Sequence, residues 1–444
     1  MKKRILAILM IAVLTLGLLA GCGEEEKEPT TLNETETYTI TLAHDFEGNS
    51  AEVLNTYLTK FTETFPHILV ETMKASEVTE ENQPNILVCL PERAAELAAK
   101  KSLVTLDTFT DSDSMMISAD GNLVPMNLSS DQENDMLDVF YEEGLVDGVL
   151  YSLPLARAEQ VLYFNQTYLE ENMLDMPLSW ESLEGICQAI KELDPESIPL
   201  CIDDETGFFI TMFAQNEGDY TSEDGEYLFN NATNFEVAKT FNEWYQKGYI
   251  TTKTLMNREN SGSLNATDTR HYIVLDSSGE ANAQKPIQEN ESYSFELGIL
   301  PFPQLGYENR QVLARGPSLA ICQSHDDDLN YCAWVLVRYL VTDIEFQARF
   351  AEASGLMPVM ESALLEDQFS KYLDNADGGS NVSALASLSC LEQQNYLFTL
   401  PAFDGASKAY AQMGALLNKC LTITGEDVEG QIEEAFLEAE NACK

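Results

Sequence analysis

The sequence predicts an α/β protein of two lobes, each built on a mostly parallel sheet with helices on both faces. Three observations lead there. At 444 residues the chain exceeds the size at which a single hydrophobic core stops growing. Apolar residues make up 44% and charged residues 22%, the balance of a folded globular chain. From Tyr38 onward, segments of strand and helix period alternate through short connections. That alternation is the pattern of parallel strands whose joining helices cover both faces of a sheet.

Each element follows from local pattern. Tyr38 to Ala43 alternates with period two and predicts a strand, followed by a polar loop from His44 to Ser50. A helix is predicted from about Ala51 to Thr64, with Leu54, Tyr57, Leu58 and Phe61 on one stripe and Pro66 as its stop. Ile68 to Thr72 and Asn85 to Leu90 are the next strands, and the Ala/Glu-rich run Pro91 to Lys101 is helical. Leu150 to Leu155 and Gln160 to Phe164 are extended. Ser179 is an N-cap for a helix reaching about Leu193. A strand at Ile198 to Ile202 precedes a helix from about Asn234 to Lys247. Strands at Tyr272 to Leu275, Leu297 to Leu300 and Ser318 to Ile321 lead to an apolar helix over about Leu329 to Leu340. From Gln393 the chain is mostly helical, and a loose loop lies near Asn375 to Asn381. Trp180, Trp244 and Trp334 fall at helical positions that read as core.

The formal net charge of −49 repels polyanions and excludes nucleic acid as a partner. Nine cysteines include no CxxC pair, which argues against a zinc ribbon or a thioredoxin-like site. Several, such as Cys89 in Ile86-Leu87-Val88-Cys89-Leu90, sit in apolar runs and read as buried free thiols.

The N-terminus opens with Met1-Lys2-Lys3-Arg4 and an apolar run from Ile5 to Leu19. A membrane-spanning helix wants about 20 apolar residues, so this shorter run reads as a secretory signal. Leu19-Ala20-Gly21-Cys22 resembles a bacterial lipobox. The resemblance implies cleavage of residues 1–21, lipidation of Cys22, and anchoring to the outer face of the bacterial membrane by more than one acyl chain. Residues 22–36 are polar and read as a flexible tether.

A wider resemblance follows from ordered phrases. Pro84-Asn85-Ile86-Leu87-Val88 precedes a helix and Leu103-Val104-Thr105-Leu106-Asp107. Tyr151-Ser152-Leu153-Pro154-Leu155 is followed by Val161-Leu162-Tyr163-Phe164-Asn165, and then by Pro177-Leu178-Ser179-Trp180. Gly298-Ile299-Leu300-Pro301-Phe302-Pro303 and Ser354-Gly355-Leu356-Met357-Pro358 come later. In this order they resemble the extracellular solute-binding proteins of carbohydrate-type ABC importers, the group that includes maltose-binding protein. The resemblance implies a periplasmic-binding-protein-like fold with a hinge of crossing strands and a small solute, most readily a saccharide, held between the lobes. It also implies permease partners in the membrane, a monomer, and no cofactor or metal. Lobe I would hold residues 37–150 and 316–361, and lobe II residues 151–315 and 362–444. The crossings would fall near residues 150–151, 315–316 and 360–361.

Ligands in open α/β sheets sit beyond the carboxyl ends of strands, which selects the candidate contacts. On lobe I these are His44, Asp45 and Phe46 after the first strand, and Glu92 after the strand ending at Leu90. On lobe II they are Arg157 and Glu159 past the first crossing and Tyr163 in the signature strand. The resemblance adds Phe208 and Phe209, after Glu205-Thr206-Gly207 where the family often places stacking aromatics, and Asp276, Ser277, Arg315 and Gly316. On this reading Phe208→Ala weakens binding and leaves the fold intact. Asp276 and Ser277 stand where sugar binders commonly carry an aromatic, and Arg315 and Gly316 where many carry Gly-Gly-Trp. Both departures reduce the stacking surface. No HExxH, GxSxG or Walker A motif occurs, and Gly316-Pro317-Ser318-Leu319-Ala320 fails the serine pattern at its last position. The chain is therefore expected to bind rather than to catalyse.

Overall fold

The computed structural model describes residue 32 and residues 36–79, 81–258 and 262–444. Cys22, the segment 1–21 and nearly all of the tether lie outside the described residues.

Two sheets organise two lobes. In the first, the order is Ile68–Met73, Tyr38–Ala43, Ile86–Cys89, Ser318–Ile321, Ser152–Pro154. The first three strands run parallel, whereas Ser318–Ile321 lies antiparallel between its neighbours. The second sheet places Ile250–Thr252, Leu200–Ile202 and Ile273–Ser277 parallel, then the long strand Ala158–Asn165 antiparallel to them. Leu297–Pro301 and Val312–Arg315 pair with the far edge of that strand. Each sheet is thus mixed. The parallel part comes from local strand–helix–strand units, and the antiparallel strands are those that return across the hinge.

Alternation in the first strand buries Tyr38, Ile40 and Leu42 against the helix Gly48–Thr64, whose Leu54, Tyr57, Leu58 and Phe61 face inward. Trp334, on the helix Asp327–Thr342, completes this core and stacks on Phe109 with ring centroids 5.5 Å apart. The second core is aromatic. Trp180 meets Phe208, Phe241, Trp244 and Phe302 edge-on, the geometry that the ring quadrupole favours. Ser179 and Ser182 form a reciprocal capping box that starts the helix Trp180–Leu193.

The chain changes sheet twice in adjacent places. Ser152–Pro154 still pairs in the first sheet, so the first crossing falls at residues 155–157 rather than at 150–151. The return falls at residues 316–317, between Val312–Arg315 of the second sheet and Ser318–Ile321 of the first. The two crossing segments touch. A Cβ at Gly316 would stand 2.2 Å from the Ala156 carbonyl oxygen, so only glycine admits that approach. Near residues 360–361 the helix Asp367–Asp374 packs on both Ile344–Ser354 and Val382–Gln393, elements attached to different sheets. All eight described cysteines are unpaired, seven of them buried and Cys89 half-buried.

Candidate functional site

Where the lobes meet, a cavity of about 480 Å³ opens beside the crossing strands. Its wall is made of strand ends. Leu90 follows Ile86–Cys89 of lobe I; Asp203 and Asp204 follow Leu200–Ile202; Lys253 follows Ile250–Thr252; Asp276 and Ser277 end Ile273–Ser277. The carboxyl ends of the parallel strands in lobe II converge there, as open α/β sheets dictate. Glu159 and Gln160 on the long strand, Arg315 and Gly316 at the return crossing, and Tyr410 from the helix Ala406–Thr422 close the remaining sides.

The carboxylates in this wall are held by neutral donors. Gln393 Nε2 donates to Glu159 at 2.9 Å, Gln284 Nε2 to Asp276 at 2.9 Å, and Gln160 Nε2 to Asp204 at 3.0 Å. Burial pushes the Glu159 carboxyl up to about 8. Asp276 and Asp204 are raised by the same cause, Asp276 further by the charge of Asp203. Arg315 Nη2 donates to Glu92 of lobe I, and its guanidinium lies 3.9 Å from the centroid of the Tyr410 ring.

Of the residues expected at the site, Glu159, Asp276, Ser277, Arg315 and Gly316 line this cavity, and Glu92 reaches its edge through Arg315. The others lie elsewhere. Arg157 is fully buried beneath the crossing strands. Its guanidinium donates to Glu143 Oε2 at 2.6 and 3.0 Å, to the carbonyls of Ala156 and Pro317 at 2.8 Å each, and to Ser318 Oγ at 3.1 Å. It ties the two crossings together and presents nothing to a solute. Tyr163 is 0% exposed, with its hydroxyl donating to the Ser277 carbonyl at 2.8 Å. Phe208 and Phe209 are likewise 0% exposed, because the helix Glu205–Gln215 turns both rings into the aromatic core. His44 stacks on Phe46, which packs edge-on against Phe350. Asp45 accepts from Ser76 at 3.1 Å and lines a separate hollow with Arg93. None of His44, Asp45 and Phe46 is in the lining of the cavity.

Sequence reasoning missed Asp203, Asp204, Lys253 and Tyr410. The first three stand directly after predicted or actual strand ends, so the strand-end rule could have found them. Tyr410 sits mid-helix, and no local signal marks it.

Fold and cavity together define a two-lobed binding protein. Residues 69–376 match the model of the family described as bacterial extracellular solute-binding protein, and the chain belongs to that family. Its members bind solutes rather than catalyse reactions. The fold is similar to the cyclic alpha-maltosyl-1,6-maltose binding protein from Arthrobacter globiformis, with a TM-score of 0.69 and 15% identity over 91% of this chain and 99% of that one. It is similar also to the sugar-binding protein MalE from Xanthomonas citri, with a TM-score of 0.69 and 16% identity over 91% and 97%. UgpB from Mycobacterium tuberculosis, solved with glycerophosphocholine, gives a TM-score of 0.68 and 16% identity over 91% and 98%. No curated protein sequence matched. Among the described residues no helix is long and apolar enough to cross a membrane.

Proposed function

We propose that the protein is a lipid-anchored receptor on the outer face of the bacterial membrane. It captures a small solute, a mono- or oligosaccharide, between its lobes and hands it to the permease subunits of an ABC importer. The observation that carries this reading is the cavity at the crossing strands, walled by residues of both lobes. Its chemistry suits hydroxyl groups: Asp203, Asp204 and Asp276 accept, Arg315, Lys253 and Gln160 donate, and Tyr410 offers one ring. A single ring favours a short saccharide. The names of two of the similar structures, a cyclic maltosyl-maltose binder and a sugar-binding MalE, point the same way. Carboxylates in the wall oppose a phosphorylated solute. Anchoring rests on Leu19-Ala20-Gly21-Cys22.

The test is calorimetric titration and thermal shift of the full-length protein in detergent against mono- to tetrasaccharides, polyols and short peptides. A saccharide at about 100 times its Kd should stabilise the fold by about 2.7 kcal/mol. Silence across the whole panel overturns the receptor reading. Separately, Cys22→Ser should move the protein from the membrane fraction to the soluble one; retention in the membrane overturns the anchor.

A further inference from the structure

Arg315 is bound from two sides at once. It leaves the second sheet at the return crossing, where its Nη2 donates to Glu92 in the first turn of the lobe I helix Pro91–Ala99. From the other lobe, the Tyr410 ring on Ala406–Thr422 lies under the guanidinium at 3.9 Å. Glu92 is 12% exposed and Arg315 25%, so this pair is far drier than the surface ion pairs of the molecule. Attraction between such charges is screened less by salt and water. A ring face beneath a partly desolvated guanidinium adds to it. The same two helices are in contact with each other. Yet Arg315 is not saturated: its buried Nε–H has no partner among the described residues. A buried donor left unpaired costs free energy that an incoming oxygen would recover.

We infer that Glu92, Arg315 and Tyr410 form a latch that holds the two lobes together, with the Glu92 carboxylate occupying Nη2 of Arg315, a residue that lines the solute cavity. This rests on the reading of that cavity as the solute site and names its regulation. The latch sets a fraction of closed molecules before any solute arrives. Loading then requires Arg315 to exchange Glu92 for an oxygen of the solute.

The test uses hydrogen–deuterium exchange of the full-length protein in detergent with no solute added, comparing wild type, Glu92→Gln and Tyr410→Leu. Both variants should speed exchange at least about fivefold in residues 91–96, 312–316 and 406–412 alike, the size expected when a modest interaction limits opening. Faster exchange confined to residues 91–99 in Glu92→Gln would mean that Glu92 serves only its own helix, and would overturn the latch. Unchanged exchange in all three segments in both variants would overturn it too. Because no solute is present, failure here leaves the receptor reading standing, and silence in the solute titrations leaves this measurement interpretable.

Discussion

Two residues apart, Arg157 in the crossing segment and Glu159 on the strand after it show how burial assigns different work to neighbouring charges. Arg157 spends its guanidinium on Glu143 and three other oxygens, so its charge is compensated where it lies. Glu159 is also buried, with the neutral Gln393 amide and the Cys390 thiol beside it and no cation paired to it among the described residues. Burial therefore lifts it from 4.5 to about 8. The sign of the consequence follows from proton counting. Between about pH 4.5 and pH 8 the folded state keeps a proton that the unfolded state has lost. Stability therefore falls as pH rises through that window, by up to about 1.4 kcal/mol per pH unit. Glu159→Gln cannot ionise, and its amide oxygen still accepts from Gln393. The variant should melt close to wild type at pH 5 and above it at pH 8. Parallel pH slopes for the two proteins in thermal melts would show that Glu159 is already ionised in the fold.

At the scale of elements, Phe208 corrects the sequence reading and explains what limited it. The family resemblance assigns the rings to stacking, and the helix Glu205–Gln215, apolar on nearly every face, has no periodicity that would separate an inner from an outer side. In the structure Phe208 packs on Trp180, Phe241 and Phe302. Phe208→Ala should therefore cost about 3–5 kcal/mol of stability in urea unfolding, rather than leave the fold intact. Elements with clear periodicity were legible to within a few residues, among them Tyr38–Ala43, Gly48–Thr64, Trp180–Leu193 and Asp327–Thr342. The strand Val312–Arg315 was not, because its four residues carry no alternation and it exists through pairing with Ala158 and Glu159. The site divides along the same line. Asp276 and Ser277 follow local strand logic, whereas Tyr410 and the burial of Arg157 depend on contacts made far along the chain. Gly316 belongs to both classes. It was marked as a ligand position, and it lines the cavity, but its backbone approach to Ala156 is what the fold demands of it. Gly316→Ala should force the crossings apart and cost about 1–3 kcal/mol, read as a lowered melting temperature.

For the whole molecule, charge opposes closure. The chain carries 74 acidic against 25 basic residues, and some of the acids line the cavities between the lobes. A second cavity between them, of about 580 Å³, is walled by Glu142 and Asp147 of lobe I and by Glu223 and Asp224 of lobe II, with no lysine or arginine among the described residues of its lining; Glu143, which also reaches it, is paired with Arg157. The solute cavity adds Asp203, Asp204, Asp276 and Glu280, all on lobe II, against Lys253 and Arg315. Bringing these walls together raises their mutual repulsion, and water or salt in an open cleft screens it. The surface ion pairs are too exposed to offset this, for pairs of that kind contribute about 0–1 kcal/mol each. Salt should therefore stabilise the protein, against the usual direction for a fold held by surface ion pairs. Raising NaCl from 20 to 500 mM is expected to add about 1 kcal/mol or more, roughly 1–2 °C in Tm for a chain of this length. It should also slow exchange in residues 312–316, because screening favours the closed arrangement more than it weakens the drier Glu92–Arg315 pair. A melting temperature that fell with salt would mean that the ion pairs outweigh the repulsion between the acidic walls.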